Sequence, residues 1–215
     1  MKTITVTGTG SASAAPDIIT VFMTVTAGDM DYKNTMEQAA ERLAALRFAL
    51  SGVGFEKDDI KTTSFNVNTE YSHEHTPDGR YERRFKGYTC VHRLKLSFDL
   101  DMERLSAVIY AIAGCSCMPE FSLSFGVKDE DGFKAEMLRS AASNARTSAE
   151  ILAAASGVTL GELISVNYSW GSIAIESKTE IVMMKAAAPM ADGAIEFTPE
   201  DIVKNDSATF VWEII

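Results

Sequence analysis

The sequence predicts an α+β protein made of two-layer sandwiches with antiparallel sheets, and three observations carry that expectation. Strand-like and helix-like segments follow the order β-β-α-β-β-α-β-α-β-β, which lacks the regular alternation of a doubly wound parallel sheet. Two long alternating arms flank Pro77-Asp78-Gly79, the signal of an antiparallel hairpin. The composition, 46% hydrophobic and 23% charged over 215 residues, is that of a globular chain long enough for one large domain or two small ones.

Each element has its own reason. Thr3 to Gly8 alternates as a strand, and the small residues from Gly8 to Asp17 read as a link to a second strand, Ile18 to Ala27. That second strand is apolar on both faces, as in a strand covered on each side. Asp29 or Asp31 caps a helix whose stripe is Met36, Ala39, Ala40, Leu43, Leu46 and Leu50, and Gly52 and Gly54 end it. Phe65, Val67, Thr69 and Tyr71 form one hairpin arm; Cys90, His92, Leu94, Leu96 and Phe98 form one face of the other.

A second helix spans Met102 to Ala113, with Leu105, Val108, Ile109 and Ile112 on one side. The strand Phe121 to Val127 follows. The longest helix runs from about Gly132 to Ser156. Its expected stripe is Leu138, Ala141, Ala142, Ala145, Ala149 and Leu152, and so many alanines allow a close approach to the packing partner. Leu163 to Trp170 and the shorter Ile173 to Ile175 read as strands, Ser177 to Gly193 as a loop, and Ser207 to Ile215 as the last strand.

Charge and cysteine usage narrow the function classes. Thirty acids against 20 Lys and Arg, a net charge of −10, repel phosphate backbones and anionic lipid heads. We therefore expect no nucleic-acid partner, and no window approaches the ~18 apolar residues of a spanning helix, so no membrane insertion. Met1-Lys2-Thr3 runs straight into a strand pattern without a signal peptide; a cytoplasmic protein is the expectation as written, periplasmic or secreted if a leader was removed. Cys90, Cys115 and Cys117 are odd in number, and Cys115-Ser116-Cys117 is too closely spaced for an ordinary disulfide, so reduced thiols are expected.

Candidate chemistry is sparse. Gly8-x-Gly10 after a strand lacks the third glycine and the following helix of a dinucleotide site, and it reads instead as a tight link between two strands. His73 and His75 stand at i and i+2 near the hairpin tip, where they read as solvated loop residues and no metal is expected; the alternative is a two-histidine metal site that Glu74 or Glu82 could complete. His92 cannot join them. If the turn centres on Asp78-Gly79, His92 sits opposite Phe65, which at ~3.4 Å per residue is roughly 27 Å from His73. Asp99, Asp101 and Glu103, like Asp129, Glu130 and Asp131, lie where helix-capping acids are expected. No catalytic residue and no cofactor is implied.

The pattern as a whole resembles the SIMPL-domain family. It is carried by Ile4-x-Val6-x-Gly8-x-Gly10 with Pro16-Asp17, by Ile60 to Val67 with Tyr71, and by Gly87-Tyr88. The alanine ladder Ala141, Ala145, Ala149, the Leu152-Ala153 to Gly157 ending, and Leu160-Gly161 complete it. The resemblance implies two intertwined α+β parts. One comprises residues 1–86 plus 195–215, the other is a ferredoxin-like part over 87–180, and 181–194 form a loop. Members of that family include envelope proteins linked to stress defence, a periplasmic immunogen that forms a ring-like oligomer, and a kinase-binding adaptor. No catalytic residue or cofactor carries over from them. Two departures stand out: an export signal is missing, and Pro199-Glu200 followed by Lys204-Asn205-Asp206 replaces the usual Pro-Gly turn before the last strand.

The function expected is thus a non-enzymatic, self-associating interaction module forming a homo-oligomer, with a link to stress defence. A small-ligand or metal-binding protein with a cleft between its parts is the alternative. Thiol redox chemistry at Cys115 and Cys117 is a third.

Overall fold

The alternation that begins at Thr3 does not stop at Gly8. In the computed structural model, which describes residues 2–75, 81–169, 173–177, 181–183 and 198–215, the first strand runs on through both glycines. The elements are β1 (Thr3–Ala14), β2 (Ile18–Asp29), α1 (Tyr32–Ser51), β3 (Ile60–His75), β4 (Tyr81–Asp99) and α2 (Met102–Ala113). There follow β5 (Glu120–Gly126), α3 (Glu130–Ala155), β6 (Leu160–Asn167), β7 (Ile181–Met183) and β8 (Ile202–Ile214). Two sheets with antiparallel ladders and three helices make the α+β fold.

The chain divides into two units, and the division differs from the expected one. One unit is Met1–Asp17, Phe125–Lys178 and Pro199–Ile215; the other is Ile18–Ser124 and Thr179–Thr198. The reason lies in strand pairing. β1 pairs with β8 from Thr3↔Glu213 to Ala14↔Ile202, whereas β2 pairs with β4 from Ile18↔Asp99 to Asp29↔Tyr88. The two N-terminal strands therefore belong to different sheets.

In the unit holding β2, the order β2-α1-β3-β4-α2-β5 with sheet order β3-β4-β2-β5-β7 is the ferredoxin-like arrangement. It occupies residues 18–124 and not 87–180. β2 alternates strictly, burying Ile19, Val21, Met23, Val25 and Ala27, and β4 buries Cys90, His92, Leu94, Leu96 and Phe98 on its matching face. The hairpin register is as predicted from the turn: Phe65 pairs with His92. Asp31, not Asp29, caps α1, accepting from the Lys33 and Asn34 amides at 2.8 and 3.1 Å. Asp29 accepts from the Asp31 amide at 2.9 Å, which holds its carboxyl below the ordinary range.

One glycine in this unit is required by its backbone. Between Glu70/Tyr71 and Gly87/Phe85 the ladder slips by a residue, a bulge, and Gly87 adopts φ +133°. A Cβ there would lie 2.4 Å from the Asp29 carbonyl oxygen.

In the other unit a three-stranded sheet, order β1-β8-β6, carries α3. The buried stripe of α3 is Phe133, Met137, Ala141, Ala145, Ala149 and Ala153, a strict i+4 row. Ala142 and Leu152 of the expected stripe are exposed, because the row follows the line of closest approach to β1 and not side-chain size. β1 answers with glycines. A Cβ on Gly8 would lie 2.1 Å from the Ala141 carbonyl oxygen, and one on Gly10 2.0 Å from that of Met137. The pair is thus a docking groove for a helix backbone, not a link between strands. Side chains of α3 also reach β1's main chain: Asn144 donates to the Thr9 carbonyl at 2.8 Å, and the Ser11 amide donates to Ser140 at 3.4 Å.

Several boundaries move. β8 begins at Ile202 and runs straight through Lys204-Asn205-Asp206, so the polar run is strand and not turn. Ile173–Ile175 is not a strand; Glu176 alone bridges to Gly126. β7 falls inside the expected loop, and Trp170 and residues 184–194 lie outside the described residues.

Candidate functional site

Of the residues singled out for chemistry, the structure brings Cys115 and Cys117 together. β3 includes His73 and His75, but their side chains lie outside the described residues, as do residues 76–80 at the turn. Among the described residues no group of three or more His, Cys, Asp or Glu is placed to hold a metal ion. Two of the acids are caps: Asp101 accepts from the Arg104 amide and Asp129 from the Gly132 amide, while Glu103, Glu130 and Asp131 stand in the first turns that follow.

His92 is a core histidine. It is buried, its Nε2 lies 2.9 Å from Thr62 Oγ1, and its ring meets Phe65 edge-on at 5.0 Å. Burial, and then the Arg47 charge, lower its pKa below the ordinary 6.5. The fold therefore favours neutral His92, while the unfolded chain takes up a proton as pH falls through about 6.5. Stability from this group is full above that value and is lost as pH falls toward the folded pKa. Denaturant midpoints at about pH 7.5 and about pH 5 should differ less in His92→Gln than in the unmodified protein; identical differences would rule out this role.

The three thiols are free and buried, as expected. Cys90 packs with Ala27 and Ala39, and burial raises its pKa. Cys115 and Cys117 meet across their turn, with the sulfurs 2.9 Å apart. Spacing alone concealed that contact.

Surface character adds what motif reading missed. In the unit of β1, β8 and β6, β6 ends the sheet among the described residues, and Leu163, Ile164 and Val166 on it are 51%, 43% and 50% exposed. β6 pairs with β8 through two irregularities, between Leu160/Leu163 and Leu163/Ser165, and these disturb the strict alternation of side chains. Beside it, the last turns of α3 leave a groove of about 630 Å³ lined by Ala153, Val158, Leu160, Leu163 and Trp212. Arg146 and Glu150, paired at 2.9 Å, border it. An alternating apolar run reads as core from sequence; only the sheet order shows that this one is an edge.

In the ferredoxin-like unit, the hairpin carries a second exposed run. Tyr71, Phe85 and Tyr88 form a chain of T-shaped contacts at 5.8 and 5.3 Å, and Arg83 lies 3.6 Å over the Tyr71 ring. No helix among the described residues is long and apolar enough to cross a membrane.

The model of the SIMPL family, a protein of unknown function (DUF541), matches residues 4–212. The uncharacterized protein YggE of Edwardsiella ictaluri (strain 93-146) is 28% identical over 189 residues, 88% of this chain and 76% of that protein. YggE of Escherichia coli (strain K12) is 28% identical over 189 residues, 87% of this chain and 74% of its own length. The motifs on which the resemblance rests have physical roles here: Gly8 and Gly10 admit α3, the alanine ladder is the surface they admit, and Gly87 occupies the hairpin bulge. The match spans both units and nearly every element, and the chain belongs to the SIMPL family.

Proposed function

We propose that this protein is a non-enzymatic module that associates with copies of itself through the face made by β6 and the end of α3. The observation that carries the reading is the exposed apolar edge Leu163, Ile164 and Val166 beside the Trp212 groove. An apolar strand at a sheet edge is a ready site for association, and the hollow next to it, walled by Leu163 and Trp212 together with Arg146, Glu150 and Glu162, offers side chains a pocket to fill. The rim pair Arg146–Glu150 is solvent-exposed and contributes orientation more than affinity.

Light scattering across micromolar concentrations tests this directly, with an integer multiple of the chain mass expected. The double variant Leu163→Lys, Val166→Lys should weaken association by roughly 100-fold or more, because two ammonium groups would be forced into an apolar contact. Both positions are exposed in the single chain, so its fold should be stable to within about 0.5 kcal/mol. A strict monomer in the unmodified protein sinks the reading. A link to stress defence belongs to the same proposal, and loss of the protein should then lower survival under oxidant.

A further inference from the structure

Among the described cysteines, two are held face to face by the backbone. The Cys115 amide donates to the Ile112 carbonyl at 3.2 Å, and the Met118 amide donates to the Cys115 carbonyl at 3.0 Å, closing a turn over Cys115–Met118. Met118 adopts φ +42°, the one positive φ outside glycine among the described residues. Non-glycine residues resist this conformation, so the surroundings impose it. Within this turn both sulfurs converge at 2.9 Å, roughly 0.9 Å beyond a covalent S–S bond.

We propose that Cys115 and Cys117 are a redox pair that closes to an intramolecular disulfide when oxidised by a small hydroperoxide and reopens with a thiol reductant. The inference uses neither the β6 face nor self-association. The residues between and beside the sulfurs, Ser116 and Met118, are exposed, which puts the buried pair one side chain below the surface.

The two sulfurs have different parts. Burial, and then the neighbouring Cys115 thiol, push Cys117 up to about 12, against the opposing pull of the Arg42 guanidinium. In the proposed sequence Cys115 attacks first and Cys117 resolves. The Cys115 thiolate attacks one peroxide oxygen: an S–O bond forms, the O–O bond breaks, and hydroxide leaves to become water with the proton Cys115 gave up. Cys117 then attacks the Cys115 sulfenic sulfur. The S–S bond forms, the S–O bond breaks, and the Cys117 proton leaves with the departing hydroxide as the second water. Two thiols are oxidised, one peroxide is reduced, and two waters result. A ring closed over a single intervening residue is strained, so it reopens readily and acts as a switch more than as a staple.

The test treats the full-length native chain with hydrogen peroxide, then unfolds it and counts thiols. Three free thiols should fall to one, with Cys90 remaining. Intact mass should drop by about 2 Da, and dithiothreitol should restore both readings. In Cys117→Ser, a sulfenic-acid trap such as dimedone should label Cys115, and no intramolecular disulfide should form. Three thiols persisting, a stable gain of oxygen on a single cysteine, or a disulfide between two chains would each overturn the proposal.

Discussion

Gly10→Val should cost about 3 kcal/mol or more, a large share of the 5–15 kcal/mol that holds an ordinary domain together. The reason is what stands opposite. A Cβ at position 10 meets the Met137 carbonyl oxygen at 2.0 Å and the Ala141 amide nitrogen at 2.3 Å, both backbone atoms of α3. No rotamer relieves such a clash, so either the helix lifts off β1 or the strand bends. Lifting uncovers the alanine row and the buried side chains of Val6, Phe210 and Trp212 beneath it. Trimming the facing side chain offers no rescue, since Ala141→Gly leaves the offending nitrogen in place. Denaturant unfolding followed by circular dichroism measures the loss; a variant within about 0.5 kcal/mol of the parent would mean that helix and strand are not this close.

Gly87→Ala should cost about 2–3 kcal/mol from a different cause. At φ +133° the backbone itself disfavours a side chain, and the added carbon would press on the Asp29 carbonyl oxygen at 2.4 Å. That carbonyl sits where β2 gives way to the capped start of α1, so the displaced segment carries the Asp31 cap with it. Asparagine, which often tolerates a left-handed backbone, should be no better than alanine, because the contact falls on its Cβ. Equal stability of Gly87→Ala and the parent, read from urea midpoints, would refute the account. The two glycine variants act in different units, so their costs should add.

Local pattern made much of this fold legible. The hairpin register followed from one turn, so Phe65 opposite His92 could be deduced by counting. α2 was readable to the residue because its apolar stripe and its capping acid agree. Pairing between distant strands was not readable in this way. Nothing in Thr3 to Ala14 says that its partner lies at Ile202 to Ile214 and not at Ile18 to Asp29, since both candidates alternate equally well. The same blindness hid the exposed edge of β6, because an apolar run looks alike whether a neighbour covers it or not. Gly8 and Gly10 were visible as glycines and misread as a linker; their meaning depends on α3, more than a hundred residues away. The thiol contact depends on how the turn over Cys115–Met118 folds, which residue type alone does not reveal.

The pairing of β1 with β8 also sets an order of events during synthesis. The ferredoxin-like unit has its β2, α1, β3, β4, α2 and most of β5 in hand once residue 124 has been made. β1, made first, has to wait for the central strand of its own sheet, which is made last. At the usual pace of translation that wait is on the order of ten seconds or more. Throughout it, a strand with two bare glycines and an apolar face has neither its sheet partner nor, until α3 is made, its helix. For this chain the first strand out is the last to find its place, and whatever shields it meanwhile governs how much of the protein reaches its fold.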